Sequence, residues 1–264
     1  NGFSPQAQIR GTEGVIRRAL RANPMMDIVM MHFTYEPFVP MMEDGEIPDV
    51  VLNHERVANR YHVTSINEVQ EIHNRMRAGN LTWEQFGGCH PAWYGHKFYT
   101  ASINSVLDAF TRQSYSPAPH KIPAPLDEAS YFSGSLVSPS LAFAVKGFHL
   151  CDSWTPSIDA GTRAGFVNVP MLATSEGGSL RFNFTGRAVG IFCVAGPDAA
   201  VISYRIDRGE WKDLDTHTVW SEGLYLPWVY MLGEDLPVGL HSLEIKVPTE
   251  GECRGCVIRN FVIN

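Results

Sequence analysis

Long apolar runs are missing from this sequence. None approaches the roughly 18 residues that cross a bilayer as a helix, so no helical membrane span is expected. The most apolar stretch, Met25 to Phe33, is strand-length and carries Asp27 and His32. Basic residues are also scarce. Lys and Arg number 21 against 28 Asp and Glu, the formal charge is −7, and no basic stripe stands out, so a nucleic-acid partner is not expected. The opening Asn1-Gly-Phe-Ser-Pro5 lacks both the basic and the apolar regions of a signal peptide. Cysteines are few and odd in number, five, so at least one thiol is free or pairs with another chain. Cys253-Arg-Gly-Cys256 is a lone CxxC without two further zinc ligands nearby, and a structural pair or local disulfide is expected there. No acidic cluster has calcium-ligand spacing, so neither a metal nor any other cofactor is expected.

What is present is globular in character: 44% hydrophobic and 19% charged residues over 264 positions, enough for one large domain or two ordinary ones. Up to about Arg112 helical and strand patterns alternate. Gly11 or Thr12 could start a helix bearing Val15, Ile16, Ala19 and Leu20, stopped by Asn23-Pro24. Asp27–Phe33 reads as a buried parallel strand, followed by a loop with Pro37, Pro40, Gly45 and Pro48. A helix over 49–61, a short strand at Val63–Ile66 and a helix capped by Asn67 come next. Tyr99, Ile103, Val106, Leu107 and Phe110 then share one helical face. The order αβαβα implies a parallel sheet covered by helices. Two strands alone leave backbone and faces unsatisfied, so this segment reads as the second half of a larger α/β domain.

Between Ser114 and Asp127, four prolines (Pro117, Pro119, Pro123 and Pro125) and few large apolar residues suggest a semi-rigid linker or a strap across the surface. Beyond it, Ser179–Phe184, Val201–Ile206 and His241–Val247 alternate with period two, with turn signals at Asp207-Arg-Gly209 and Leu236-Pro-Val-Gly239. Many short strands and no convincing helix indicate an all-β sandwich of jelly-roll type. The expected organisation is an α/β segment over 1–113, a Pro-rich linker over 114–128 and a sandwich over 129–264.

One loop stands out chemically. Thr82-Trp-Glu-Gln-Phe-Gly-Gly-Cys-His-Pro-Ala-Trp-Tyr-Gly-His96 places the His90 imidazole among Gly87, Gly88, Pro91 and Gly95, just before a helix. Histidine is the side chain best suited to move protons near neutral pH, and loops of parallel sheets are where such groups sit. A loop histidine can equally be a structural hydrogen bonder, and composition alone does not decide between them.

His90-Pro91 followed by Gly95-His96 and a closing helix resembles the last motif block of SGNH/GDSL hydrolases. Glu13-Gly-Val-Ile-Arg17, Ala22-Asn-Pro24, Asp27-Ile-Val29, His54-Glu-Arg-Val-Ala58 and Tyr61-His-Val-Thr-Ser-Ile-Asn67 resemble, in order, the second half of bacterial members. The resemblance covers residues 1–112. It implies a partial flavodoxin-like α/β fold, serine-esterase chemistry and His90 as general base. Two features depart from that family. No Gly-Asp-Ser block, which would bear the nucleophile, occurs here, and Asn1-Gly2 is a weak match to the family's Asn-Asp block. The nucleophile is therefore expected on a chain or segment outside these residues. The family's triad acid lies three residues before the histidine, where this sequence has Gly87. Glu84 is the candidate to replace it, and a Ser-His dyad oriented by a backbone carbonyl is the alternative.

Trp83, Trp93 and Tyr94 flank His90 as a possible sugar-stacking wall, or else pack as an ordinary amphipathic loop. Phe184–Phe192, Tyr204–Trp211 and Gly239–Leu243 resemble β-sandwich modules attached to carbohydrate esterases. Trp154, Trp211, Trp220, Tyr225, Trp228 and Tyr230 could furnish a glycan surface or a sandwich core. The expected activity is deacylation, chiefly deacetylation, of an acylated carbohydrate substrate, with neither nucleic acid nor membrane as partner. The alternative is a non-catalytic carbohydrate-binding or structural protein with a remnant hydrolase domain.

Overall fold

The computed structural model describes residues 3–114, 116–249 and 255–264. Asn1-Gly2 and Cys253, on which two of the expectations above bear, lie outside the described residues. The chain divides into two compact units, one up to Phe132 and one from Ser133.

The first unit is α/β. Its elements are α1 (Pro5–Ala22), β1 (Val29–His32), α2 (Phe38–Glu43), α3 (Asp49–Tyr61), β2 (Thr64–Asn67), α4 (Glu68–Arg77), α5 (Trp83–Phe86) and α6 (Trp93–Thr111). Helix α1 begins earlier than Gly11 or Thr12. Ser4 accepts the Ala7 amide at 3.2 Å and Pro5 takes the first helical position, a pairing that needs no amide hydrogen where none would be bonded. Ile9, Ile16 and Leu20 of α1 pack on Val57 and Tyr61 of α3, with Ile28, Met30 and Val63 alongside. The short α2, with Pro40 inside it, occupies the segment expected to be a loop. Strands β1 and β2 pair in parallel from Val29↔Thr64 to His32↔Asn67. Asn67 then caps α4 by accepting the Gln70 amide at 3.1 Å.

This parallel pair is the whole sheet among the described residues of the unit. Its surroundings show what a two-stranded sheet leaves uncovered. Phe33, just after β1, is 56% exposed, and Val29 is also exposed. On α6 the expected apolar face is covered at Tyr99, but Ile103 and Leu107 are exposed, because no described element packs over them.

A buried carboxylate organises the other side of the unit. Glu13 of α1 is fully buried and accepts from the Tyr61 hydroxyl (2.7 Å), the Leu126 amide (2.6 Å), the Asp127 amide (3.1 Å) and the Ser130 hydroxyl. Arg17 donates to Tyr61 (2.7 Å) and to the Pro123 carbonyl (2.6 Å), and Arg60 donates to Ala124. Arg10 meets Asp127 at 2.8 Å. The Pro-rich segment is thus strapped to α1 and α3 from Pro123 to Ser130, its fixed backbone supplying amides and carbonyls for buried side chains.

The second unit is a two-sheet sandwich. Its strands are β3 (Ser135–Val137), β4 (Phe143–Lys146), β5 (His149–Trp154), β6 (Gly161–Thr162), β7 (Val169–Thr174), β8 (Gly178–Gly186), β9 (Val189–Ala195), β10 (Val201–Ile206), β11 (Lys212–Asp215), β12 (Leu224–Gly233), β13 (Gly239–Val247) and β14 (Cys256–Ile263). One sheet runs β11-β10-β13-β8-β4; the other runs β5-β7-β14-β9-β12-β6, with β3 on β14. The period-two segments read from the sequence are the central strands: Leu180, Phe182 and Phe184 point in while Arg181, Asn183 and Thr185 point out. Phe182 stacks on Phe261 across the core at 4.0 Å between ring centroids. Asp207 and Arg208 both take left-handed backbone (φ 52° and 61°) in the turn after β10. Cys193 and Cys256 are buried in β9 and β14, and burial pushes the Cys256 thiol up to about 12, which makes both poor nucleophiles.

Because Glu13 satisfies four donors at once, its loss strands them in the interior. Glu13→Ala should cost about 3 kcal/mol in urea unfolding and free the 123–130 strap to proteolysis. A loss below about 1 kcal/mol would mean that water replaces the carboxylate and the strap is held elsewhere.

Candidate active site

The loop around His90 is built by glycine. Helix α5 is closed by a capping box, in which the Gln85 amide donates to Thr82 and the Thr82 amide donates to the Gln85 side chain. The chain then turns at Gly87 (φ 94°), where an added Cβ would lie 2.4 Å from Ala92. The Ala92 amide returns to the Phe86 carbonyl at 2.9 Å. Gly95, in the first turn of α6, lies equally close to the Phe86 carbonyl. Residues 86–95 therefore form a tight loop folded on itself, with Cys89 and His90 exposed on it.

Tyr99 fixes where this loop sits. Its ring packs on Phe33 (5.3 Å) and Phe86 (5.7 Å), which sets the start of α6 against the C-terminal end of β1. That is the edge of a parallel sheet where ligand-contacting loops gather. His32, at the end of β1, is buried with Nε2 2.6 Å from Glu55 of α3, and its ring stacks on His54 at 6.0 Å. Burial, and secondarily His32, lowers the His54 pKa and favours its neutral form. The sequence named His32 and His54 without a partner; their pairing depends on a strand end meeting a helix flank, which spacing does not reveal.

The expected site residues fall as follows. His90 is exposed and has no hydrogen-bond partner among the described residues. Glu84 is exposed, and its carboxyl is held below the usual range by its own backbone amide and then by the Thr82 hydroxyl. The cap of α5 itself is made by Thr82 and Gln85. Trp83 rests on Phe86 at 5.5 Å. Trp93 is 87% exposed, and Tyr94 is exposed with Lys97 over its ring and its edge on Phe98. Trp93 and Tyr94 are therefore presented to solvent, while Trp83 is half-buried packing. Among the described residues, no group of three or more His, Cys, Asp or Glu could hold a metal.

Beside this loop lies Glu68, which its local sequence does not single out. It is fully buried at the start of α4, and neither carboxyl oxygen has a hydrogen-bond partner among the described residues. Burial raises its pKa, tempered by Ser102. The buried Tyr99 hydroxyl also lacks a partner, and burial pushes its pKa up to about 12.

No family model matches the sequence, and no curated protein matches it. The fold is similar to solved structures. A crystal structure of a two-domain esterase active on acetylated mannans superposes with a TM-score of 0.78 at 17% identity, over 97% of this chain and 68% of that one. A two-domain esterase of that description co-crystallised with mannopentaose gives 0.77 at 17% identity, over 97% and 67%. A family two carbohydrate esterase from Cellvibrio japonicus overlaps 49% of this chain and 32% of its own, at 13% identity and a TM-score of 0.36. The first two define the architecture: an α/β unit followed by a β-sandwich, spanning about two thirds of the esterase's length.

Two outcomes test this geometry. Gly87→Asp, which restores an acid three residues before His90, should lower stability by about 2 kcal/mol or more, because both the left-handed backbone and the contact with Ala92 oppose a side chain. A thermally neutral variant would show that the loop has room. For Glu68, a folded pKa above the unfolded one means its contribution is fully present at acid pH and is lost as pH rises through the folded value. Glu68→Gln should flatten that decline and raise the melting temperature at neutral pH by about 2–4 °C. An unchanged pH profile would remove Glu68 as its source.

Proposed function

We propose that this protein is a carbohydrate esterase of SGNH type, deacetylating a polysaccharide, with His90 as the general base. The observation that carries this reading is an unpaired histidine on a glycine-closed loop beside the C-terminal end of a parallel strand. The fold shared with a two-domain esterase active on acetylated mannans supports an ester of a sugar over one of a lipid.

The nucleophilic serine, in this reading, is carried by polypeptide outside these residues, on the part that completes the sheet. The uncovered Phe33, Ile103 and Leu107 and the two-stranded sheet support that placement. His90 takes the serine proton as the serine oxygen adds to the ester carbonyl, then returns it to the leaving sugar hydroxyl. Water hydrolyses the acyl-enzyme by the same route. Trp93 and Tyr94 offer exposed rings to the sugar. The two arrangements for orienting His90 are Glu84 as the third member or a Ser-His dyad oriented by a backbone carbonyl.

Turnover of p-nitrophenyl acetate decides the matter. The chain alone should be inactive, and a polypeptide extended upstream should be active, losing about 10³-fold or more of kcat on His90→Ala. Robust turnover by the 264 residues alone, or indifference to His90→Ala, would overturn the assignment. Full activity in Glu84→Gln would remove Glu84 from the site.

A further inference from the structure

The second unit contains a cleft that core packing does not explain. At one end of the sandwich, the 155–160, 175–177 and 196–200 loops and Gly255 enclose about 760 Å³. That is within the range of pockets that bury a small ligand. Its floor is an aromatic pair, Trp154 edge-on to Tyr225 with centroids 5.7 Å apart. Gly196 makes room for this floor, since an added Cβ would lie 2.4 Å from the Tyr225 ring.

The polar groups are arranged for a ligand rather than for the fold. The Tyr225 hydroxyl is buried and lines the cleft beside Ser157 and Asp198. Asp198 lines the same cleft with its carboxylate fixed by the Ser157 hydroxyl at 2.5 Å. Burial raises the Tyr225 pKa, and Ser157 and Asp198 are close enough to act on it in opposite directions. His149 and Glu176 complete the polar wall. Among the described lining residues there is no Lys or Arg.

We propose that this cleft binds a neutral hexopyranose unit of a polysaccharide, and that it rejects uronates and other anionic sugars. An aromatic floor matches the C–H face of a pyranose ring. A fixed carboxylate accepts from two neighbouring sugar hydroxyls, in charge-assisted bonds stronger than neutral ones. The Tyr225 hydroxyl, on the same wall as Asp198, then donates to a ring substituent. Asp198 and Glu176, with no cation opposing them in the lining, repel a carboxylate or sulfate. The site lies in the sandwich, so it does not depend on the esterase reading of His90.

Isothermal titration of the full chain tests this, using neutral manno-, gluco- and galacto-oligosaccharides and, in parallel, oligogalacturonate. At least one neutral oligosaccharide should bind saturably, and the uronate should bind at least tenfold more weakly. Asp198→Ala should weaken the neutral ligand tenfold or more, and Tyr225→Phe, which keeps the ring, several-fold. His90→Ala should leave the affinity unchanged. Binding of none of the neutral sugars, preference for the uronate, or affinity indifferent to both cleft variants would each overturn the proposal. Should Asp198→Ala fail to fold, Tyr225→Phe and the neutral-against-uronate comparison in the unaltered chain still decide it. Ester turnover by the upstream-extended polypeptide, dependent on His90, without sugar binding would sink the cleft alone; sugar binding by the chain with no turnover in the extended polypeptide would sink the esterase reading alone.

Discussion

A parallel strand must be bonded along both edges and covered on both faces, and that requirement governs how the first unit is read. Here β1 has β2 on one edge, and α1 and α3 cover Met30 together with Ile28 and Val63. The opposite conditions hold around Phe33, Ile103 and Leu107, where large apolar groups face solvent. Exposed apolar groups scattered singly need no explanation, but Phe33 follows the strand end on which Tyr99 of α6 packs, and Ile103 and Leu107 lie further along that helix. In the reading proposed above, polypeptide that completes the sheet would cover them.

The His90 loop depends on the residue three positions before the histidine. Gly87 stands where the SGNH pattern that this loop resembles has a carboxylate. In the structure, that glycine is what lets the chain reverse on Ala92 and bond it to Phe86. The loop has adopted a geometry in which no side chain fits at that position. An imidazole presented this way depends for its orientation on a backbone group or on a carboxylate from elsewhere, and Glu84 is already committed to Thr82 and its own amide.

Much of the architecture was legible because it rests on periodicity. The alternation at Leu180, Phe182 and Phe184 and the αβαβα order each follow from a local repeat that burial enforces. The start of α1 was misplaced because Gly11 and Thr12 look like a helix entry, whereas Ser4-Pro5 states the true one in capping chemistry. Short α2 and α5 escaped because one or two turns carry too few positions for a repeat to show. His90 is singled out by its motif, and the structure places it exposed on a glycine-closed loop. Glu13, Glu68 and the His32–Glu55 pair are not singled out, because a charged residue on an amphipathic helix reads as solvated until a partner from another element arrives.

Glu13 and Glu68 make the point sharply. Both are fully buried helical glutamates in the same unit, and nothing in their local sequence separates them. Glu13 receives four donors, two of them main-chain amides from a strap more than a hundred residues away. Glu68 has Ser102 and Arg75 favouring its charged form, and burial outweighs them. A carboxylate with four donors is a fastening, and Glu68 is a charge the fold holds in check, with its pKa raised by burial. The same reasoning separates the aromatics of the sandwich. Trp211 has Arg205 and Lys246 over its ring, and Phe182 and Phe261 saturate each other in the core. Tyr225 instead ends in a buried hydroxyl on the cleft wall, beside Ser157 and Asp198.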